Sequence, residues 1–452
     1  MEDARERLTA VSLFCSSGIG DLALRAAGAD VLVANEFLKD RAELFRVNYP
    51  EADVLTGDIR ELGADIVRST LARLQGRELD VLFATPPCQG MSKNGRGKLL
   101  RGVRDGLRDA IDPRNQLATF VPPIVQQLHP RLVVFENVPE MDGTLVEDAD
   151  GELVELLEYL ARGMVGYRGV WKTVEFADYG VPQRRQRLIT IFVREDVLAT
   201  SPSAPSRGDL SWLYPAPTHG AEPSLFQERW ITVDDVISGL PPLDAGSKAA
   251  SRSDIPFHYV TLLDERKYWW ISNTPAGSSA FDNQCVNPAC RFDGNVTHGS
   301  QRDSGGINQA RKDTPIRCEH CNAVLPRPSV IDGDSGEPRI MKGFTSAYKR
   351  MRGDLPASAI TTNLSYVCSD QKVHPTQHRA LSLYEAMMLH TLTDYEWRWD
   401  LPSGRVAKDS LIRDSLGESI PPRGLEVIFR HLFGVLSLRS DAGDGSFSRL
   451  SA

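Results

Sequence analysis

The sequence predicts an α/β protein, a doubly wound parallel sheet followed by a smaller and less regular cysteine-bearing domain. Three observations predict it. Short apolar runs at Val11–Phe14, Val31–Ala34, Val81–Ala84, Leu132–Phe135 and Leu188–Val193 alternate with helix-period stretches such as Leu22–Ala27, Asp65–Leu74 and Leu117–Leu128. Beyond Ser201 the composition shifts to Pro, Ser and Gly, and periodicity stays weak until Ala380–Leu392 and Leu425–Leu436, which read as helices. Four cysteines cluster in the weakly patterned region. The boundaries that follow are 1–200 for the first part of the α/β domain, 201–345 for an inserted domain, 346–438 for the return, and 439–452 for a disordered tail of Ser, Asp and Gly.

Each element follows from its pattern. Strands that alternate with helices pair in parallel through right-handed crossovers. Ligands of such sheets bind at the carboxyl ends of the strands, so the loops after Phe14, Ala84 and Phe135 are where chemistry is expected. The stretch from Ser201 to Gly220 reads as a linker. Apolar residues are 41% and charged residues 25% of the 452, which suits a folded globular chain. There is no apolar run long enough to span a bilayer, so a membrane role is not expected. The N-terminus, MEDARERLTA, lacks the character of a signal peptide, and seven cysteines without one point to a reducing compartment.

Net charge is −8, which alone disfavours nucleic acid. Phosphate contacts need only one basic face, however, and Lys93, Arg96, Lys98, Arg101, Arg104 and Arg108 lie within one segment against a single acid, Asp105. Lys349, Arg350 and Arg352 form a second group. Either run by itself reads as a solvated surface; the first adjoins the candidate nucleophile.

That nucleophile is Cys88, in Asp80-Val-Leu-Phe-Ala-Thr-Pro-Pro-Cys-Gln-Gly. A buried strand ends in two prolines that keep the following loop out of helix. A reactive cysteine needs exposure and a field favouring thiolate, and the basic segment supplies part of it. A second strand ends in Glu136-Asn137-Val138-Pro139, which puts a carboxylate on the same sheet edge; the bland alternative is a helix-capping Glu. In Tyr179-Gly-Val-Pro-Gln-Arg-Arg-Gln-Arg-Leu, the two-residue period of extended chain points Gln183, Arg185 and Arg187 to one face.

Pro86-Pro87-Cys88-Gln89, Glu136-Asn137-Val138 and Gln183-x-Arg185-x-Arg187, with Phe14 and Gly18 ahead of them, stand in the order seen in DNA cytosine C5-methyltransferases. The chain resembles that family, of bacterial restriction-modification or phage-defence type, over nearly its whole length except the middle insert and the tail. The resemblance implies a Rossmann-like S-adenosylmethionine-dependent domain with a smaller target-recognition domain, and double-stranded DNA as substrate. It implies that Cys88 adds to carbon 6 of a flipped-out cytosine. Glu136 would hold the ring N3 and exocyclic amine, and Arg187, with Arg185 beside it, the base carbonyl. Gln89 and Ser92 would belong to the loop that closes over DNA. For the cofactor, the resemblance implies Phe14, Gly18, Glu36 on the ribose, Phe37, Asp58 at the adenine amine, Ile59, Pro87, Leu117 and Ser419. Two departures stand out: Ser16 where the family has Gly, and Glu418 where Gly417-Glu418-Ser419-Ile420-Pro421 is expected to carry Asn.

The insert, between the Gln-x-Arg-x-Arg strand and the segment Arg352–Arg379, falls where the family keeps its recognition domain. Within it Cys285-x4-Cys290 and Cys318-x2-Cys321 have the spacing of a structural zinc site, with His298 and His320 as weaker ligand candidates. A tRNA cytosine-5 methyltransferase is the first rival, disfavoured by the long cysteine-bearing insert. A catalytically silent DNA-binding regulator is the second. A thiol protease is the third, and no His partner for Cys88 is evident in the pattern. The resemblance further implies a cytoplasmic, nucleoid-associated enzyme working beside other proteins of a defence system.

Overall fold

The computed structural model describes residues 7–87, 112–204, 208–302, 308–311, 313–341 and 346–438. Cys88, Gln89, Ser92, the basic run Lys93–Arg108 and the tail expected at 439–452 therefore lie outside the described residues. The chain divides into two compact units, one of Met1–Val174, Arg187–Ala216 and Leu425–Ala452, the other of Glu175–Gln186 and Pro217–Gly424. These limits fall elsewhere than the compositional boundaries at 201 and 346. Return to the first unit comes only at Leu425, and Glu175–Gln186 joins the second.

The first unit is built on strands β1 (Leu8–Leu13), β2 (Ala29–Glu36), β3 (Asp53–Thr56), β4 (Val81–Ala84) and β5 (Leu132–Asn137). A small hairpin follows, β6 (Leu145–Glu147) with β7 (Leu153–Glu155), then β8 (Tyr167–Glu175) and β10 (Gln186–Arg194), while β9 (Gln183–Arg184) between them belongs to the second unit. Seven of these form one sheet in the order β3-β2-β1-β4-β5-β10-β8. Pairing is parallel from β3 to β5, and β10 then runs antiparallel to β5, with Ile189 opposite Glu136. The parallel strands β1, β4 and β5 are buried on both faces, which explains why each reads as an unbroken apolar run. One core runs through Val11, Leu13, Leu82, Val133 and Phe135 to Ile66, Val125 and Leu160 of the flanking helices. Phe429, on the helix Pro422–Val435, meets Phe83 of β4 edge to face at 5.4 Å.

Where the sequence reading and the fold differ, local chemistry explains it. The helix expected from Asp65 begins at Ile59, because Asp58 caps it by accepting the Arg60 N–H at 2.9 Å. The helix expected over Leu117–Leu128 splits into a 3₁₀ turn, Pro113–Phe120, and an α-helix, Val121–Leu128, whose start carries Pro122 and Pro123. The Ser201–Gly220 stretch is anchored rather than loose: Leu213 is fully buried and Tyr214 donates its hydroxyl to the Ile189 carbonyl at 2.7 Å. β8, which alternates irregularly and is largely exposed, gave no clear apolar signal.

The second unit holds the helices Val233–Ile237, Glu265–Ser272, Leu383–Leu389 and Asp409–Glu418, with short two-stranded pieces between them. Helix Leu383–Leu389 is shorter than the predicted Ala380–Leu392, being set by a capping box of Ser382 and Glu385. Arg379 and Glu385 form a two-point ion pair, both fully buried. Arg350, one of the second basic group, is also inside: it donates to the carbonyls of Ile271, Thr274, His374 and Gln377. Arg352 pairs with Asp354. Of that basic group, Arg350 is thus a fastening of the unit, while Arg352 stays exposed. No helix among the described residues is long and apolar enough to cross a membrane.

Candidate active site

In the first unit the sequence-predicted residues converge on one sheet edge. β1 ends at Leu13 just before Phe14, β2 ends in Glu36, β3 leads to Asp58, β4 leads to Pro87, and β5 ends in Glu136 and Asn137. Since β10 is antiparallel to β5, its opening residues, Arg187 among them, return to that same edge. Carboxyl ends of parallel strands are where such sheets bind ligands.

Glu136 and Arg187 face each other across the β5–β10 ladder, with Nε 2.8 Å from the Glu136 carboxylate and both side chains largely buried. A buried carboxylate is stable only when paired and hydrogen-bonded, so the two charges define a compact polar site in otherwise apolar walls. Together they present an acceptor and a forked donor, the complement of a planar ring with an N–H edge and a carbonyl.

The loop after β1 is tightly wound. Phe14, Ser16 and Gly18 all have positive φ, at 59°, 50° and 91°. Ser16 thus adopts a left-handed conformation that costs a residue other than glycine about 1 kcal/mol. At Gly18 a Cβ would fall 2.6 Å from the Tyr49 ring and 2.7 Å from that of Phe45, and Tyr49 donates its hydroxyl to the Gly18 carbonyl at 2.7 Å. Glu36 holds the loop from the other side, accepting the Ser16 N–H at 2.9 Å and the Leu38 N–H at 2.7 Å. Phe37 next to it is 66% exposed, an aromatic face open to a flat ligand. Asp58 caps its helix and pairs with Arg60, whose hydrogen bonds hold its carboxyl below the usual range. Ile59 is buried behind it, while Leu117 is half-buried against the main core. One group beneath the loop had no sequence signal: Asp21 is 1% exposed, and burial pushes its carboxyl up to about 7. An acid amid Gly-Ile-Gly-Asp reads as a helix start, and nothing in the pattern marks its burial.

Arg185 and Ser419, both expected at the site, belong to the second unit and are engaged there. The Arg185 guanidinium donates to the carbonyls of Ile360 (2.7 Å), Gly417 (3.1 Å) and Ser419 (2.6 Å). Expected beside Arg187 on a base carbonyl, it ties two stretches of main chain here, around Ile360 and Gly417–Ser419, from a buried position just after β9. Gln183 accepts the Ile360 N–H and donates to the Leu389 carbonyl. The Ser419 hydroxyl lies 2.9 Å from His390 Nε2. Glu418 ends the helix Asp409–Glu418 and is exposed.

The four insert cysteines come together as expected. Their sulfurs lie within 4.8 Å of one another, with Cys285–Cys321 at 3.6 Å and Cys290–Cys318 at 3.9 Å, and none is in a disulfide. Four thiolates around zinc at about 2.3 Å place their sulfurs roughly 3.8 Å apart, so the set has the size of a tetrahedral zinc cage. His320 Nδ1 approaches Cys290 Sγ at 3.3 Å, while His298 is buried against Phe281 and hydrogen-bonded to Thr314, outside the cluster.

Residues 8–227 match the family model described as C-5 cytosine-specific DNA methylase. The chain is 28% identical over 439 residues to the type II methyltransferase M1.HgaI of Avibacterium volantium, covering 95% of this chain and 99% of that one. It is 26% identical over 415 residues to type II methyltransferase M.AgeI of Thalassovita gelatinovora, covering 85% and 91%. A prophage-encoded E. coli protein assigned as a DNA modification methyltransferase has the same fold, with TM-score 0.55 at 17% identity over 95% of this chain and 99% of that chain. The stretch that carries the motifs and the shared sheet edge, residues 8–227, is thus similar to the C-5 cytosine-specific DNA methylase family, and the matches to type II methyltransferases extend that similarity along most of the chain.

Proposed function

We propose that this DNA cytosine-5-methyltransferase modifies a flipped-out cytosine in double-stranded DNA through a covalent bond to Cys88, as the methylating partner of a restriction-modification or phage-defence system. The observation that carries the reading is the Glu136–Arg187 pair, at 2.8 Å on the edge to which β4 delivers Pro87. Glu136 in its protonated form donates to the ring N3 while its other oxygen accepts from the exocyclic amine, and Arg187 takes the carbonyl oxygen. The proton on N3 and the Arg187 contact draw electron density from the ring and favour attack at carbon 6. The Cys88 thiolate then forms an S–C6 bond, and the displaced electron pair makes carbon 5 nucleophilic. S-adenosylmethionine, when bound, supplies an electrophilic methyl group to carbon 5. A water molecule takes the carbon-5 proton, and the electron pair left behind expels the thiolate and restores the ring.

The cofactor fits the residues present. The wound loop Phe14–Gly18 with Glu36 offers main-chain and carboxylate groups for the amino-acid and ribose ends. The exposed Phe37 ring offers a face for adenine, and Asp58 with Ile59 closes the far side. Arg187 alone makes the base contact, and Arg185 serves as a tie. Ser419, with its hydroxyl on His390, meets the cofactor by main chain if at all. Gln89 and the basic run beyond it engage DNA phosphates. The residues between 201 and 345, of which those from Pro217 on lie in the second unit, form the target-recognition domain, and its four cysteines hold a structural zinc ion. As a DNA-modifying enzyme it works in the cytoplasm on nucleoid DNA.

The test is transfer of labelled methyl groups to double-stranded DNA and to tRNA, with Cys88→Ala as control. Label in DNA that is lost in the variant supports the reading. Label in tRNA alone replaces it with the RNA-modifying alternative, and no transfer despite cofactor binding favours a silent DNA-binding regulator.

A further inference from the structure

Two side chains fasten the main chain where it leaves β4, and neither has a role in the chemistry above. Thr85 donates its N–H to the Leu13 carbonyl at 3.1 Å and its hydroxyl to the Phe14 carbonyl at 2.9 Å. Beyond it Pro86 and Pro87 have no N–H, so the main-chain ladder stops. The carbonyl of Pro86 is met instead by Asn137, the last residue of β5, which is 2% exposed and donates Nδ2 to it at 3.0 Å. The other end of the same amide, Oδ1, accepts the Val138 N–H at 2.8 Å. Asn137 is therefore used at both ends, and its neighbour in the strand is Glu136.

We infer that Asn137 is a positioning residue for the methyl-transfer reaction: its amide locks the Pro86 carbonyl, and so the exit of the chain toward Cys88, to the strand end that carries Glu136. The reasoning is one of degrees of freedom. Holding the Pro86 carbonyl fixes the Pro86–Pro87 peptide plane. The ring of Pro87 fixes its φ, so ψ of Pro87 is the single soft dihedral left before the peptide that bears the Cys88 nitrogen. Thr85 performs the same service toward the Phe14 loop. The two ties thus set the nucleophile's strand against the cofactor loop on one side and the base-holding carboxylate on the other. A nucleophile must sit about 3–3.5 Å from its target atom, and a displacement near 1 Å can lower the rate roughly 100-fold.

The inference rests on the covalent mechanism proposed above, and Asn137→Asp separates the two. The substitution keeps the shape and the acceptor for Val138 but replaces the donor to Pro86 with a carboxylate oxygen. At pH 8 kcat for DNA methylation falls about 100-fold, with the KM for DNA and the cofactor Kd within about threefold of wild type. On acidification the buried carboxyl protonates and can donate again. Activity relative to wild type at the same pH therefore climbs roughly tenfold toward pH 6, whereas Asn137→Ala stays low at both. Cys88→Ala is inactive throughout. If Asn137→Asp keeps kcat within about threefold of wild type at pH 8 while Cys88→Ala is dead, the positioning role is wrong and the covalent mechanism stands. If kcat, KM and cofactor Kd all fail together with a lowered melting temperature and no recovery on acidification, Asn137 is only structural and the inference is likewise overturned. An active Cys88→Ala would instead remove the mechanism itself.

Discussion

Replacing Arg185 by Lys distinguishes a main-chain tie from a contact with the base. Its guanidinium reaches three carbonyl oxygens, of Ile360, Gly417 and Ser419, and the residue is 2% exposed. Lysine keeps the charge but carries one compact ammonium in place of a planar fork, so it can serve about one of the three. A hydrogen bond to a charged group contributes about 1.5–3 kcal/mol, and a buried carbonyl left without a donor costs a similar amount. Losing two of them destabilises the second unit by about 3 kcal/mol. At about 2–4 °C per kcal/mol for a domain of this size, the melting temperature drops by about 6–12 °C. Calorimetry together with steady-state methylation below the transition is the assay, with kcat expected within about threefold of wild type. An unchanged melting temperature with methylation lost would refute the reasoning and return Arg185 to the base.

Arg187→Lys has the opposite profile: kcat falls about 100-fold or more, while a charge still pairs with Glu136 and the fold survives; a loss of stability without a rate effect would contradict it. Asp21 makes stability pH-dependent with a defined sign. Its carboxyl is raised to about 7 in the fold, so between pH 4 and 7 the folded chain binds a proton that the unfolded chain has lost, and stability falls as pH rises through that window. At about 1.4 kcal/mol per pH unit the ceiling is about 4 kcal/mol, so Asp21→Asn should melt higher than wild type at pH 8 and equal to it near pH 4; parallel pH curves would contradict this. Purified protein should contain one zinc per chain by elemental analysis, and Cys321→Ser or a strong chelator should release it and unfold the insert, read as protease susceptibility between residues 285 and 321. Retention of structure with no metal bound would exclude a structural zinc.

The sheet was legible in the sequence because its strands are short, apolar and buried on both faces, and because glycine or proline punctuates their ends. The strand-end placement of Phe14, Pro87 and Glu136 followed from that, Glu36 and Asp58 came from the family resemblance, and the antiparallel return of β10 brought Arg187 to the same edge. The two-residue period of Gln183-x-Arg185-x-Arg187 was legible too, but not that the chain passes from one compact unit to the other within it, leaving Arg185 and Arg187 with different partners. Burial of Arg350, Arg379 and Arg327 in the second unit was likewise hidden, since an arginine that satisfies main-chain carbonyls leaves no periodic trace in the sequence. Spacing did identify the four cysteines, because metal-sized turns constrain sequence separation directly.

The most direct test of the central claim uses duplex DNA in which the cytosines are replaced by 5-fluorocytosine, incubated with the enzyme and S-adenosylmethionine. Fluorine at carbon 5 cannot leave as a proton, so the covalent adduct accumulates instead of turning over. The account predicts a denaturant-resistant protein–DNA complex whose digestion yields a modified base attached to the peptide containing Cys88, absent in Cys88→Ala. Methylation of ordinary duplex DNA without any trapped adduct, or an adduct on another residue, would contradict it.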